Sequence, residues 1–359
     1  MHNLSTVLSS DHSHGDGPFT RSASERLTRI TGAGHVLLTT SCTHALEMAS
    51  SLLGIGDGDE VIIPSFTFPS AADAIARPGG RCVFVDIDQA TGNLDPAQVA
   101  EAVGPATKAI SVMHYGGMPV DIDAITSIAA EAGIPIIEDN AHGLGVPGLG
   151  RVGVLAAQSF HDTKNVHCGE GGALLINDPG MVERAEIMRE KGTNRSQFLR
   201  GQIDKYSWVD WGSSYLPSEL NAAVLDSQLS EFDQIQRSRH AIWNTYSAEL
   251  AGWAAERGVT LMDPPGGLHA AHLFYLLMPD WRQQTTFIAH LRSLGIVAAF
   301  HYVPLDTSVA GRRFGKTLRP LDQSEDFSRR LVRLPLWAGM PESFVSRVFE
   351  AAKSYRAPR

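Results

Sequence analysis

Up to about residue 190 the chain alternates between short unbroken apolar runs and longer stretches whose apolar residues recur every three or four positions. "EVIIP" (60–64), "RCVFVDI" (81–87), "KAISVMH" (108–114) and "GIPIIED" (133–139) are rich in β-branched residues. Such runs suit strands buried on both faces. Between them, "SCTHALEMASSLLG", "SAADAIARPG", "DPAQVAEAVG" and "DIDAITSIAAEAG" have helical spacing, with Gly at or past their ends, where helix C-termini favour it. This alternation predicts an α/β fold, a mostly parallel sheet with helices on both faces. Ligands of such sheets gather at the carboxyl ends of the strands.

Beyond "GGALLIND", residues 179–191 read as a helix, followed by a polar, aromatic segment with weak periodicity, "GTNRSQFLRGQIDKYSWVDWGSSYLP". Ordered loops of that length are usually functional. Residues 218–250 then read as one or two long helices. "HLFYLLM", a helix near 282–295, "IVAAFHYVPL", and helices near 322–333 and 341–355 predict a smaller C-terminal α/β domain. The expected division is a large domain over 1–235 and a small one over 236–359, with residues 1–15 mobile.

Composition narrows the class. Hydrophobic residues make up 43% and charged residues 19%, as in soluble globular proteins. A net charge of -9 argues against a general nucleic-acid or anionic-membrane binder. Cys42, Cys82 and Cys168 form no CxxC pair, and the first residues lack an apolar signal core. Both features predict a cytoplasmic protein with free thiols. Lysine is scarce: six against 24 arginines, which narrows any lysine-based mechanism to few positions.

"GLGVPG" (143–148) matches G-x-G-x-x-G after a strand, but Pro147 and the continuation "GLGRVG" leave no helix to receive a pyrophosphate. A turn-rich loop is the better reading. In "TTSCTHALEMASSLLG" (39–54), hydroxyl residues precede a helix. Thr43 and the amides around His44 would face either a phosphate or nothing more than an N-cap. Two strand ends carry acids, "VFVDID" and "PIIEDNAH", and position does not choose between them. Lys164, in "SFHDTKNVHCGEGG", stands at a strand exit as either a solvated loop lysine or an imine-forming amine kept neutral by burial. Gly169, Gly171 and Gly172 would admit close approach of a ligand. His161, His167 and Cys168 lack the spacing of a metal-ligand set, so no metal is expected.

Helix N-terminus, strand-end acid and lysine, in that order, resemble the aspartate-aminotransferase fold of pyridoxal 5'-phosphate (PLP) enzymes. More closely, "SCTHALEMA", "VIIPSFTFPSAADAI", "VFVDID", "ISVMHYGGMPVDIDAI", "IIEDNAHGLG", "SFHDTKNVHCGEGGALLIND" and "FHYVPL" are similar to the DegT/StrS sugar aminotransferases, from about Gly15 onward. "REKGTNRSQFLRGQIDKYSWVDWGSSYLPSEL" resembles the branch of dTDP-4-amino-4,6-dideoxygalactose transaminases. The resemblance implies that Lys164 binds the cofactor aldehyde and shuttles protons. Asp139 would pair with the pyridinium nitrogen, Phe68 stack on the ring, and His142 lie beside it. Thr43, the His44 backbone and Ser159 would hold the phosphate. Leu216 stands where many relatives place a partner-subunit Asn, so Ser213 or Ser214 would substitute. Arg195, Arg200, Lys205, Tyr206, Trp208, His301 and Tyr302 are candidates for the sugar nucleotide. The implied partners are a dTDP-sugar, L-glutamate and a second copy of the chain, with sites at the dimer interface.

The implied reaction moves an amino group to C4 of a dTDP-4-oxo-6-deoxyhexose, for antibiotic or cell-envelope glycosylation. A C3 aminotransferase is one alternative. A PLP-dependent sugar dehydratase is another, but those relatives carry histidine in place of the lysine. A regulatory protein on an inactive fold would be expected to lack Lys164 or Asp139, and both are present.

Overall fold

The protein is described by a computed structural model covering residues 2–357. Its strands are β1 (His35–Thr39), β2 (Glu60–Pro64), β3 (Arg81–Val85), β4 (Thr107–Met113), β5 (Ile136–Asp139), β6 (Leu155–Ser159), β7 (Gly172–Ile176), β8 (Thr260–Leu261), β9 (Phe274–Leu277), β10 (Gly315–Thr317) and β11 (Leu331–Leu334). Eight of them form one sheet in the order β1-β7-β6-β5-β4-β2-β3-β10, in which β7 runs antiparallel to both neighbours and the other pairings are parallel. Helices cover both faces, as expected for strands without a polar side. The helix Cys42–Leu52 packs against β6 and β7. The opposite face is covered by the paired helices Pro18–Thr31 and Glu219–Ser230, whose Ala23, Leu27, Ala222 and Leu225 share a core with Leu38, Ala156 and Leu175.

The second sheet is antiparallel, β11-β9-β8. Its core joins Leu276 and Val332 to Tyr246 of the helix Phe232–Arg257, Phe287 of Trp281–Ser293 and Val348 of Glu342–Ser354.

Several expectations change. The predicted helix over 322–333 stops at Arg330, and its last residues become β11, with Leu331 opposite Leu277 and Arg333 opposite Tyr275. "IVAAFHYVPL" is not a strand but irregular backbone, held by one isolated bridge between Ala299 and Arg333. Residues 305–321 do not stay with the second sheet. The Leu305 N–H donates to the Ser65 carbonyl at 2.9 Å, β10 pairs with β3, and Leu305 and Leu321 enter the core of the first sheet. At the other end, His2–Leu8 forms a helix against Glu219–Ser230, and Asn3 Nδ2 donates to Asp226 Oδ2 at 3.1 Å.

Candidate active site

The carboxyl ends of β1, β2, β4, β5 and β6 open onto a cavity of about 640 Å³, closed on its far side by β11 and the stretch around His301. Lys164 enters it from the link between β6 and β7, where its N–H closes a turn on the His161 carbonyl at 2.9 Å. The neighbouring Asn165 fixes that link, donating to the Ala270 carbonyl at 2.7 Å and to Gln236 Oε1 at 2.8 Å. Among the described residues, nothing accepts a hydrogen bond or ion pair from the Lys164 ammonium. Burial lowers its pKa, opposed by the charges of Cys42 and Asp139. The lowering favours the neutral amine, the form that acts as a base and a nucleophile.

Asp139 ends β5 at 4% exposure and also lines the cavity. Burial raises its carboxyl, while the Ala141 N–H, 3.1 Å from Oδ1, and the charge of Lys164 draw it down. The rival acid at a strand end, Asp86, is consumed elsewhere. It takes the Ser324 N–H (2.6 Å), the Ser324 hydroxyl (2.6 Å) and the Gln323 N–H (2.9 Å), capping the helix Asp322–Arg330. Glu138 is likewise spent, accepting from the Gly150 and Gly153 amides at 2.8 Å each and from His114 at 3.0 Å. It thereby pins the Gly-rich loop that follows "GLGVPG".

At the β1 end, Ser41, Cys42 and Thr43 present the N-terminus of Cys42–Leu52 to the cavity, beside the hydroxyls of Ser70 and Ser159. Thr43 Oγ1 lies 2.7 Å from Ser70 Oγ. Positive helix end, amides and hydroxyls together suit a phosphate. His44 is not among the residues lining the cavity; its amide donates to the N-cap Ser41 Oγ at 3.1 Å, and its ring sits edge-on against Tyr215. Of the three glycines, Gly171 lines the cavity, whereas Gly172 is approached by the Ser41–Cys42 backbone and not by open cavity.

His142 stacks on His272 with ring centroids 4.1 Å apart. Its Nδ1 accepts from the Gly116 N–H at 3.3 Å, so a neutral ring carries its hydrogen on Nε2, 3.5 Å from the Tyr302 hydroxyl. His272 donates from Nδ1 to Asn165 Oδ1 at 3.0 Å. Burial depresses the pKa of both rings strongly, and burial takes His301 down to about 2. These imidazoles are neutral donors and acceptors at physiological pH. Phe68 lines the mouth at 52% exposure, its ring 6.0 Å from Tyr302.

Other predicted residues lie away from this cavity. Arg200 binds Glu186 through two nitrogens, each at 2.8 Å, and Arg195 binds Glu190 at 3.1 Å. Both guanidiniums are therefore already paired with acids of their own chain. Ser214 bridges Glu190, Trp208 bridges Thr193 at 79% exposure, and Tyr206 leans on Phe198. Lys205 is exposed. Sequence reasoning in turn missed Cys42, Ser70, His272 and Arg333, all of which line the cavity. Only Ser70, in "FTFPSAADAI", carried a signal, as a hydroxyl at a helix start.

The model of the DegT/DnrJ/EryC1/StrS aminotransferase family matches residues 1–353. Among solved structures, DesV of S. venezuelae, in complex with a ketimine intermediate, is 30% identical with a TM-score of 0.88, covering 98% of this chain and 92% of its own. The aminotransferase TlmJ of Streptoalloteichus hindustanus is 29% identical (TM-score 0.90, coverage 98% and 94%). 3-Amino-5-hydroxybenzoic acid synthase is 28% identical (TM-score 0.87, coverage 98% and 94%). The cavity fits the cofactor of that family, offering a buried amine for an aldehyde, a carboxylate for a ring nitrogen and a helix N-terminus for a phosphate. The chain belongs to the DegT/DnrJ/EryC1/StrS aminotransferase family, and it is a PLP-dependent aminotransferase.

Proposed function

We propose that the enzyme transfers the amino group of L-glutamate to C4 of a dTDP-4-oxo-6-deoxyhexose, giving a dTDP-4-amino-4,6-dideoxyhexose for cytoplasmic nucleotide-sugar biosynthesis. The observation that carries the chemistry is the meeting of Lys164 and Asp139 in one cavity, with no other lysine lining it. The sugar assignment draws support from the segment 189–220, which resembles the branch acting on such hexoses.

Bound PLP supplies an electron sink for the carbon bearing the transferred nitrogen. The protein's residues do the rest. Lys164 Nζ, whose pKa burial lowers, accepts the proton from the donor's Cα and returns it to the carbon on the far side of the transferred nitrogen. The Asp139 carboxylate keeps the pyridine nitrogen protonated. Thr43, Ser159 and the amides at the start of Cys42–Leu52 hold the phosphate, with Phe68 and His142 beside the ring. His301 and Tyr302 meet the sugar. In a homodimer, Lys205, Tyr206, Trp208 and Ser214 belong to a surface that lies outside their own cavity and would serve the partner's.

The test is direct. Purified enzyme with PLP, L-glutamate and dTDP-4-oxo-6-deoxyglucose should yield an aminated sugar nucleotide whose NMR spectrum puts nitrogen at C4 and reports its configuration. Nitrogen at C3, or a deoxygenated product, would reject the proposal.

A further inference from the structure

We propose that Arg333 binds the α-carboxylate of the amino donor. The inference rests on the enzyme drawing its nitrogen from an α-amino acid. Three arginines follow one another where the helix Asp322–Arg330 passes into β11, and their fates differ. Arg329 pairs with Glu325 at 2.9 Å, and Arg330 pairs with Asp326 at 2.7 Å while also donating to the Met278 carbonyl. Arg333 has no ion pair and no side-chain hydrogen bond with any described residue, and its Nε is buried without an acceptor. Arg333 is only partly buried, but a guanidinium nitrogen shut away from water without an acceptor is costly. A ligand anion would remove that cost.

Its backbone is firmly held, opposite Tyr275 in β9 on one side and bridged to Ala299 on the other, through N–H to carbonyl contacts of 2.7 and 3.2 Å. The side chain therefore enters the cavity from rigid structure. The acids lining the cavity offer it no partner. Asp139 serves the β5 side, and Glu170 is an exposed rim residue 3.7 Å from His161. His142, His272 and His301 are neutral. Lys164 and Arg333 are thus the two basic side chains that face this part of the cavity, one an amine whose pKa burial lowers and the other a planar guanidinium. A carboxylate joined to the carbon that Lys164 deprotonates would meet the planar fork of Arg333 and accept two parallel hydrogen bonds. The diphosphate of a sugar nucleotide is the other candidate anion, but it lies across the hexose ring from C4.

Arg333→Gln and Arg333→Lys separate the two sources. The donor half-reaction is followed by the cofactor's absorbance and needs no sugar, so it remains readable even if the hexose assigned above is wrong. With glutamate, aspartate and alanine alike, kcat/KM should fall about 100-fold in Arg333→Gln, mainly through KM, and less in Arg333→Lys. Competitive inhibition by maleate should weaken in parallel. The acceptor half-reaction, from the aminated cofactor to the 4-oxo sugar, should stay within a factor of about three. Equal losses in both halves, a loss confined to the sugar half, or a loss confined to the dicarboxylic donors would each overturn the assignment. Unchanged near-UV circular dichroism in Arg333→Lys guards against misreading a folding defect.

Discussion

The imidazoles of His142 and His272 stack 4.1 Å apart with planes 26° from parallel, so a proton on either would put charge against its neighbour and near Lys164. Burial is the main reason both rings, and His301 at about 2, lie below the ordinary 6.5. The unfolded chain therefore takes up these protons first as pH falls. Their contribution to stability is complete above pH 6.5 and declines below it, each ring adding a slope of at most about 1.4 kcal/mol per pH unit. Urea unfolding of the cofactor-free protein should show its midpoint dropping between pH 6.5 and 5. A flat midpoint across that interval would contradict a neutral cluster.

Lys164→Ala is expected to reduce both half-reactions by about 10⁴-fold or more, because one amine serves as both attachment point and base. The variant should still bind PLP, yet borohydride should no longer fix the cofactor to the protein. Retained turnover in single-turnover absorbance measurements would remove Lys164 from the mechanism.

The two strand-end acids predict opposite phenotypes. Asp139→Asn should lose at least about 100-fold in rate, since an amide cannot keep the ring nitrogen protonated. Asp86→Ala should leave the cofactor's spectrum unchanged and destabilise the fold by about 2 kcal/mol, because the Ser324 and Gln323 amides lose their acceptor. Denaturant titration and stopped-flow spectra on both variants would reveal any exchange of these roles.

Gly172→Ala tests how the phosphate cradle is built. A Cβ there would lie 2.3 Å from the Ser41 carbonyl carbon and 2.4 Å from the Cys42 nitrogen, both backbone atoms. The start of Cys42–Leu52 would have to move, and PLP affinity should weaken about tenfold or more by equilibrium titration. An unaltered affinity would show that the helix start does not set the cofactor's position.

Much of this arrangement could be read from the chain. β2 to β5 announce themselves because strands buried on both faces leave unbroken apolar runs, and Lys164 stands out in a lysine-poor sequence. Asp139 and Asp86 look alike locally; only tertiary placement gives one of them three donors to satisfy. β11 was hidden because "SRRLVRLPL" follows helical spacing smoothly, and pairing with β9, more than fifty residues earlier, overrides it. "IVAAFHYVPL" failed the other way. Its β-rich composition serves a segment whose partners are distant, such as the Ser328 hydroxyl on the Tyr302 carbonyl. Arg333 gave no signal at all, since what sets it apart from Arg329 and Arg330 is the absence of a nearby acid in space.

The return of residues 305–321 to the first sheet has a consequence for how the chain can be cut. β10 covers the outer side of β3, and Lys316 clips to Glu60 of the next strand at 2.5 Å. Without it, β3 would offer the free backbone of "RCVFV" to any passing strand, the kind of edge that seeds aggregation. The last third of the chain is therefore a guard for the sheet laid down by the first half. A truncation ending near residue 300 should precipitate rather than yield a smaller cofactor-binding domain.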